Sequence, residues 1–319
     1  MTLRVGLVGL GPMGMRHLDA WARLPQVSAL AAVVRHQQDA QRLALSPHAA
    51  RVQPVPSLQA LAAWQPDLAV IAVQTPLHAA VTEALPCPAL VEKPLCQTPD
   101  QAMQLLSRPH RLFVGHTSRA EAGAMALYAP FVQQAIGTVL CVEIAAVEPH
   151  LQRPDPGVAQ QLGRLCDVLV HALALAVELL PAESASAVTT RMETGEAGPR
   201  LDAELLWSTG QRLTVQLAAV GTPGRQVTVT GDVGSAHWSV APGTAALSVV
   251  DATGRHQVPL GGSPALDSLC AQVAVGLQQG TATPFDGQRG LAVLRLAGQM
   301  LAAVPASQVA VCFNWDWLR

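Results

Sequence analysis

The sequence is poor in aromatic and charged residues, and neither sign of charge predominates. Of 319 residues, 3% are aromatic and 13% are charged, and 20 basic against 22 acidic side chains give a formal net charge of −2. Broad attraction to nucleic acid or anionic lipid requires a positive excess, so we expect neither a nucleic-acid nor a membrane partner. Half of the residues are hydrophobic, which allows a large core and leaves a sparsely charged surface that a subunit interface could partly cover.

Paired cysteines, metal-ligand spacings and an uninterrupted apolar span are also missing. The six cysteines are scattered and form no CxxC pair (Cys87, Cys96, Cys141, Cys166, Cys270, Cys312). We expect reduced thiols, no metal site and a cytoplasmic protein, and we see no secretory signal at the start of the chain. The longest apolar run, 165–180, includes Asp167, His171 and Glu178, which makes it a poor candidate for a membrane span.

Residues 1–118 alternate between short apolar runs and amphipathic segments. The apolar runs lie at 3–8, 27–34, 68–73, 89–91 and 111–114, and helical patterns lie at 13–24, 58–64, 79–85 and 99–106. Strands buried on both faces read as continuous apolar runs, and their alternation with helices is typical of parallel strands joined by crossovers. We therefore predict an α/β fold in which the first domain, 1–118, is a doubly wound parallel sheet.

Residues 119–319 show another pattern. Short extended segments separated by glycine-containing turns occupy 201–260 after an isolated extended segment at 139–147, and helical periodicity appears at 162–180, 265–277 and 290–303. Short strands joined by tight turns are typical of antiparallel sheets. We predict a second, α+β domain with a large and mainly antiparallel sheet.

A glycine loop, GLGPMG at 9–14, joins the first predicted strand to the first predicted helix. In a GxGxxG loop the first glycine permits the tight turn, the second lets a pyrophosphate approach the backbone, and the third allows close helix packing. The helix N-terminus adds N–H groups and the positive end of its dipole. This context predicts a Rossmann domain whose dinucleotide phosphates lie at Gly9, Gly11, Pro12, Met13 and Gly14.

The residues that follow the second predicted strand indicate which dinucleotide binds. Folds that prefer NAD place a carboxylate about 20 residues after the glycine loop, to bind the ribose 2′-hydroxyl. Arg35 and His36 occupy this region, and a guanidinium there binds a 2′-phosphate through charge-assisted hydrogen bonds. We expect NADP(H) to be favoured over NAD(H); the alternative is that Arg35 is a solvated surface charge.

Further segments, in chain order, resemble the Gfo/Idh/MocA family of oxidoreductases. The segment LVEKPL at 90–95 resembles the family's EKP motif, and the other matches are the cofactor-side loop (73–78), the domain-crossing segment (114–119), the DxxxH helix start (163–171), a turn of the large sheet (229–234) and the loop before the last helix (284–287). Together with the glycine loop, these ordered matches cover nearly the whole chain.

The resemblance implies an NAD(P)-dependent dehydrogenase or reductase that acts on the CH–OH group of a sugar, polyol or related small molecule. It implies cofactor contacts from the loops after two later strands (Thr75, Pro76, His78, Glu92, Lys93), catalysis by Lys93, His171 and Asp167, and a substrate pocket bordered by His116 and Arg119. It also implies a homodimer or homotetramer that pairs through the C-terminal sheet.

The chemistry of alcohol oxidation accounts for these residue types. A group must exchange a proton with the substrate oxygen, and Lys93 follows a predicted strand at the sheet edge where ligands of open α/β sheets bind. Glu92 is expected to steady the loop or the lysine. Asp167 and His171 are four residues apart, on one face of a helix, where the carboxylate can orient the imidazole. The alternatives are that Lys93 is a surface lysine and that Asp167 and His171 form a core pair that fixes helix packing. His17 is expected to be structural or exposed.

Two other functions remain open. The family often has Arg-Phe-Asn-Pro where this chain has Arg119-Ala-Glu-Ala. The family also often has an acidic residue soon after the motif histidine, whereas Ala172–Ala174 follows His171 here. These departures favour a non-catalytic NAD(P)-binding sensor or scaffold as one alternative. The other is a reductase for a non-sugar carbonyl, imine or diol.

Overall fold

The computed structural model describes residues 2–148, 158–181, 184–194 and 198–304. The chain forms two compact units: the first comprises the residues up to Thr117 with Pro264–Leu291, and the second comprises Ser118–Ser263 with the described residues from Ala292 onward. The sequence analysis divided the chain once, after residue 118. The structure differs by returning a later segment to the first unit.

The first unit contains a six-stranded parallel sheet with the strand order β3-β2-β1-β4-β5-β6. The strands are β1 (Leu3–Val8), β2 (Val27–Val33), β3 (Val52–Val55), β4 (Leu68–Ile71), β5 (Ala89–Glu92) and β6 (Leu112–Gly115). The order reverses direction between β1 and β4, and ligands of open α/β sheets bind outside the carboxyl ends of the strands at such a switch point.

Two of the helices of this unit begin at a side chain that accepts a free backbone N–H. The helices are α1 (Pro12–Arg23), α2 (Gln37–Ala44), α3 (Leu58–Ala63), α4 (His78–Glu83), α5 (Pro99–Leu106) and α9 (Ala265–Gln279). Ser57 accepts a hydrogen bond from the Ala60 N–H at the start of α3, and Thr98 accepts one from the Gln101 N–H at the start of α5. Such N-caps are worth about 1 kcal/mol each.

The returning segment, 264–291, is tied to the first unit by backbone and side-chain bonds. Val114 donates its N–H to the Phe285 carbonyl at 2.7 Å, and Arg111 pairs with Asp286 at 3.0 Å. In addition, Arg23 of α1 pairs with Asp267 of α9. These bonds explain why α9 belongs to the Rossmann unit although about 150 residues of the other unit precede it.

The second unit is built on an eight-stranded sheet with the order β14-β13-β12-β11-β7-β10-β9-β8. Its strands are β7 (Val139–Val147), β8 (Ala187–Glu193), β9 (Arg200–Leu206), β10 (Arg212–Ala218), β11 (Gly224–Gly231), β12 (Ser235–Ala241), β13 (Thr244–Asp251) and β14 (Gly254–Val258). Only the β7–β10 pair is parallel among these neighbours. The predicted fold class, a Rossmann sheet followed by a mainly antiparallel α+β unit, is confirmed.

Helices cover one face of the eight-stranded sheet. The helices are α6 (Ala122–Leu127), α7 (Pro130–Ile136) and α8 (Val158–Ala176), and α10 (Gly287–Ala302) includes the boundary between the two units. Alternate residues of β10, such as Leu213, Val215 and Leu217, are buried in the core. On the opposite face, Leu206 of β9, which pairs with Arg212 of β10, is 41% exposed, so this face is not covered within the unit.

Candidate functional site

The glycine loop between β1 and α1 has the backbone that the sequence predicted. Gly9 has a φ of +94°, and a Cβ there would lie 2.5 Å from the Ala72 carbonyl oxygen. A Cβ on Gly14 would lie 1.8 Å from the Gly9 carbonyl oxygen, whereas a Cβ on Gly11 would meet nothing within 4 Å. Two glycines therefore permit the fold of the loop, and the middle one faces open space that a ligand can approach.

The start of α1 is suited to an anion. Gly11 is the N-cap, Pro12 opens the helix, no side chain caps it, and the first turn contains no acidic residue. The N–H groups of the first turn and the positive end of the helix dipole are therefore available to a phosphate. This geometry fits the pyrophosphate of a dinucleotide next to Met13 and Gly14.

Arg35 and His36 are exposed just after β2. The carboxylate of Asp39 accepts hydrogen bonds from the backbone N–H groups of both residues, each at 3.3 Å, and so caps α2. Both of these bonds end on Oδ2 of Asp39. The side chains of Arg35 and His36 extend from a backbone that Asp39 fixes.

Arg42 is a cation near the glycine loop that the sequence analysis missed. Its Nη1 donates to the Leu10 carbonyl at 3.4 Å, which brings a second guanidinium to the loop between β1 and α1. The available signal was its position three residues after Asp39, which places the two side chains on one side of α2.

Lys93 follows the last residue of β5 and is half-buried. It is the only lysine in the chain, since all the other basic residues are arginines. An arginine stays protonated in proteins, whereas a lysine can release and regain a proton. The sequence analysis did not use this feature, although counting lysines would have singled out Lys93. The Lys93–Pro94 peptide bond is cis.

Glu92, the neighbour of Lys93, is buried and held by two donors. Its Oε2 accepts the Lys93 backbone N–H at 3.2 Å, and its Oε1 lies 2.7 Å from Nε2 of His17. Burial by itself would raise the pKa of Glu92, but the hydrogen bond and charge of His17, with further help from Lys93, outweigh burial and lower that pKa. Glu92 is therefore a buried carboxylate, and His17, expected to be structural or exposed, is fully buried against it.

His78 connects the loop after β4 to the EKP loop. Its Nδ1 lies 2.9 Å from the Pro94 carbonyl and its Nε2 lies 3.0 Å from the Val73 carbonyl. Burial lowers the pKa of His78, although both carbonyls favour the protonated ring. In the same loop Thr75 is buried and Pro76 is exposed. The ring fixes the loops after β4 and β5 to each other, and cofactor contacts of these three residues stay a prediction.

His116 lies at the same edge of the sheet as Lys93. Glu92 of β5 pairs with Gly115 of β6, so Lys93 and His116 each follow the last paired residue of neighbouring parallel strands. His116 is buried. This register brings the two side chains to one edge of the first unit, as the sequence predicted for residues after parallel strands. Substrate contact by His116 stays a prediction.

The remaining predicted residues belong to the second unit. Asp167 and His171 are half-buried on α8, and Ser118 Oγ donates to the His171 carbonyl at 3.2 Å. Arg119 is fully buried: Nη1 donates to the Ala174 carbonyl at 2.9 Å and Nη2 pairs with Glu178. The guanidinium of Arg119 thus ties the residues before α6 to α8. Its substrate contact, and catalysis by Asp167 and His171, stay predictions.

A metal centre and a membrane span are both absent from the described part of the chain. No group of three or more His, Cys, Asp or Glu side chains there is arranged to hold a metal ion. Within the same residues, no helix has the length and apolar character needed to span a bilayer.

Comparison with known proteins finds a family model that matches part of the first unit. Residues 3–112 match the GFO_IDH_MocA family model, described as an oxidoreductase family with an NAD-binding Rossmann fold. No curated protein sequence matches the chain significantly. The fold and the glycine loop thus define a dinucleotide-binding Rossmann domain. The resemblance seen in the sequence is confirmed for residues 3–112, which are similar to the NAD-binding Rossmann domain of the Gfo/Idh/MocA oxidoreductase family.

Solved structures with the same fold span both units. UDP-N-acetylglucosamine 3-dehydrogenase of Acidithiobacillus ferrooxidans is 21% identical, with a TM-score of 0.80 over 97% of this chain and 99% of that chain. Biliverdin reductase of Synechocystis, solved with biliverdin and NADP+, is 18% identical, with a TM-score of 0.73 over 94% and 98%. An oxidoreductase of Agrobacterium radiobacter, solved with NAD+, L-tartaric acid and magnesium, is 18% identical, with a TM-score of 0.78 over 96% and 97%.

Proposed function

We propose that the protein is an NAD(P)-dependent dehydrogenase or reductase that transfers a hydride between a nicotinamide cofactor and a hydroxyl or carbonyl carbon of a sugar, polyol or related small molecule. The observation that carries this proposal is the single lysine of the chain, held at the carboxyl end of β5 beside a buried carboxylate. When bound, the nicotinamide accepts or supplies the hydride. The side chains must then manage the proton on the substrate oxygen.

Lys93 is the group proposed for this proton transfer. An ammonium can donate to a carbonyl oxygen that is gaining negative charge, and the neutral amine can take the proton of an alcohol. Asp167 and His171 are further residues proposed for proton transfer and for orienting the substrate. Their spacing on α8 allows the carboxylate to set the tautomer of the imidazole.

We further propose that NADP(H) is the preferred cofactor. Arg35 and His36 extend from the end of β2, and Arg42 adds a second guanidinium near the glycine loop. Asp39, whose Oδ2 accepts the backbone N–H groups there, is the one acidic residue among these four. A 2′-phosphate gains charge-assisted hydrogen bonds from guanidinium groups that a 2′-hydroxyl does not.

The cofactor preference is tested by titration of the protein with NADPH and NADH, followed by nicotinamide fluorescence. We expect NADPH to bind more tightly, and Arg35→Asp to weaken NADPH by about tenfold or more while NADH changes little. Gln38→Asp, an exposed position on α2, serves as the matched charge control. Tighter binding of NADH by the wild-type protein would reverse the assignment of Arg35 and leave the Rossmann domain in place.

The reaction is tested with the preferred cofactor and a panel of sugars, sugar nucleotides, polyols, aldehydes, ketones and imines. Lys93→Met should bind cofactor and lose turnover by a factor of about 10² to 10⁴, the usual contribution of a positioned acid–base group. Lys93→Arg keeps the charge but cannot release a proton, so it should be equally inactive in oxidation. Turnover by Lys93→Met at the wild-type rate would exclude Lys93 as the proton-transfer group.

The substrate class distinguishes the remaining alternatives. One relative of the same fold is named for action on a sugar nucleotide and another for the reduction of biliverdin; their names favour neither class for this chain. Reduction of only non-sugar carbonyls or imines would show that the protein is a reductase for non-sugar substrates. No turnover across the panel, with tight cofactor binding retained, would favour a cofactor-dependent sensor.

We propose that two or four copies of the chain pair through the uncovered face of the eight-stranded sheet. Leu206 on this face is 41% exposed, and burial of such a side chain favours association. We also propose a cytoplasmic location, because every described cysteine is a buried thiol outside any disulfide. Light scattering on the wild type and on Leu206→Asp tests the interface: a wild-type monomer at micromolar concentration would exclude it.

A further inference from the structure

We propose that His17 and Cys270 are positioning residues for Lys93, because together they hold Glu92 in one orientation beside the lysine. The inference rests on the proposed oxidoreductase function and adds two residues to its active site. Neither residue belongs to the EKP segment, and neither is expected to touch substrate.

Three elements of the first unit bring these side chains together. His17 lies on α1, Glu92 ends β5, and Cys270 lies on α9. Nε2 of His17 lies 2.7 Å from Oε1 of Glu92, and the Sγ of Cys270 lies 3.9 Å from Nδ1 of His17. His17 and Cys270 have no exposed surface and Glu92 is 6% exposed. The three groups thus form a continuous buried hydrogen-bonded chain that ends at the Lys93 backbone.

When the imidazole of His17 is neutral, one arrangement of protons satisfies every link of this chain. Burial raises the pKa of Cys270 well above the usual range of a thiol, so the S–H is present and can donate to Nδ1 of His17. Nε2–H of His17 then donates to Oε1 of Glu92, while Oε2 accepts the Lys93 N–H. This tautomer leaves the negative charge on Glu92, next to the Lys93 ammonium.

The surroundings of Glu92 are matched to this orientation. A Cβ on Gly115 would come within 2.8 Å of Oε1, so β6 carries glycine where the carboxylate lies. The other titratable groups whose charge acts on this chain are His78 on α4 and the Arg23–Asp267 pair between α1 and α9. Because the two charges of that ion pair oppose each other, Glu92 and Lys93 dominate the local field.

Removal of His17 should therefore affect Lys93. A buried carboxylate stays ionised only while donors reach it. Without the imidazole, Glu92 would take up a proton or turn away, and the Lys93 ammonium would lose a neighbouring negative charge. A purely structural contact between α1 and α9 would leave the titration of Lys93 unchanged.

The single lysine makes this effect measurable without a substrate. Trace labelling with isotopic acetic anhydride, read by mass spectrometry of the Lys93 peptide, reports the free amine at one ε-amino group as a function of pH. We expect His17→Leu to move half-maximal labelling to lower pH, because the amine loses a nearby negative charge. His17→Gln, whose amide can replace the Nε2–H donor, should move it by less than half of that shift.

Two further variants keep the test decisive if His17→Leu does not fold. Glu92→Gln retains the shape of the side chain and removes its charge, so it should reproduce the full shift. Cys270→Ala should produce a smaller shift in the same direction, Cys270→Ser should not, and Cys87→Ala is the matched control because it is a buried cysteine of the same unit. Circular dichroism and thermal unfolding establish that each variant is folded.

Unchanged labelling in both His17→Leu and Glu92→Gln would overturn the proposal, and identical profiles for Cys270→Ala and Cys87→Ala would remove Cys270 from it. Where the substrate panel gives turnover, His17→Leu should lower kcat by about tenfold, with the KM for cofactor within about twofold of wild type. A wild-type protein without turnover would overturn the proposed function alone, because the labelling experiment needs no substrate.

Discussion

Alanine in place of Gly11 or Gly14 should separate ligand binding from folding in the glycine loop. At Gly14 the added Cβ would lie 1.8 Å from the Gly9 carbonyl oxygen, roughly 1.4 Å closer than van der Waals contact allows, so the loop or α1 must move. Overpacking of this kind costs about 1–3 kcal/mol. At Gly11 the added Cβ meets nothing within 4 Å, and the φ of −68° suits alanine.

The two substitutions should therefore have opposite signatures. In Gly11→Ala the free energy of unfolding falls by a few tenths of a kcal/mol because alanine is a poorer N-cap than glycine. It rises by about as much because the unfolded chain is less flexible. Its free energy of unfolding should stay within about 0.5 kcal/mol of wild type, while its affinity for dinucleotide falls by about tenfold or more, because the methyl group occupies the approach of the pyrophosphate. Gly14→Ala should lose both stability and affinity.

Urea unfolding and nicotinamide fluorescence titration measure the two quantities independently. Wild-type affinity of Gly11→Ala for both NADPH and NADH would refute the placement of the pyrophosphate at this loop. Wild-type stability of Gly14→Ala would instead refute the close packing of α1 on the strand.

Three further predictions concern buried groups. Arg119→Met should lower the free energy of unfolding by about 3 kcal/mol in urea, because Glu178 loses the partner of a largely buried pair; a loss below about 1 kcal/mol would show that the pair contributes little. The pKa of His78 is lowered in the folded chain, so below pH 6.5 the unfolded chain binds a proton that the folded chain resists. The free energy of unfolding should therefore decrease as the pH is lowered below 6.5, and His78→Gln should reduce that slope. Burial raises the pKa of Cys87 to about 11 and that of Cys96 to about 12; alkylation at pH 8, mapped by mass spectrometry, should reach both only after unfolding.

The strands that the sequence analysis missed lie at sheet edges. β3 and β8 were not predicted, and each is the outermost strand of its sheet. Edge strands are only partly buried, and their sequences carry a weak apolar signal: β3 has two exposed central residues, and one of them is Pro54, which an edge strand tolerates. The strands in the interior of both sheets were predicted at nearly their observed positions, because burial on both faces of the first sheet requires continuous apolar runs and burial on one face of the second requires alternate apolar residues.

The glycine loop shows how local sequence can define part of a site. Its residues are consecutive, and the steric requirements of the turn act over six positions, so the motif and its strand–helix context were sufficient to predict the backbone and its anion site. The same holds for the edge position of Lys93, which follows from its place after a parallel strand. Its being the only lysine was visible as well and went unused.

The sequence by itself determined the Rossmann class, the family resemblance of the first unit, the dinucleotide loop and the residues at the carboxyl edge of the first sheet, because each depends on contacts within a short stretch of chain or on a repeated apolar pattern. Tertiary structure alone decided that 264–291 returns to the first unit, that β7 and β10 pair in parallel, and that His17, Glu92 and Cys270 meet. His17 is 75 residues from Glu92 and 253 residues from Cys270. No local pattern encodes such distant contacts; they arise only when α1, β5 and α9 pack into one core.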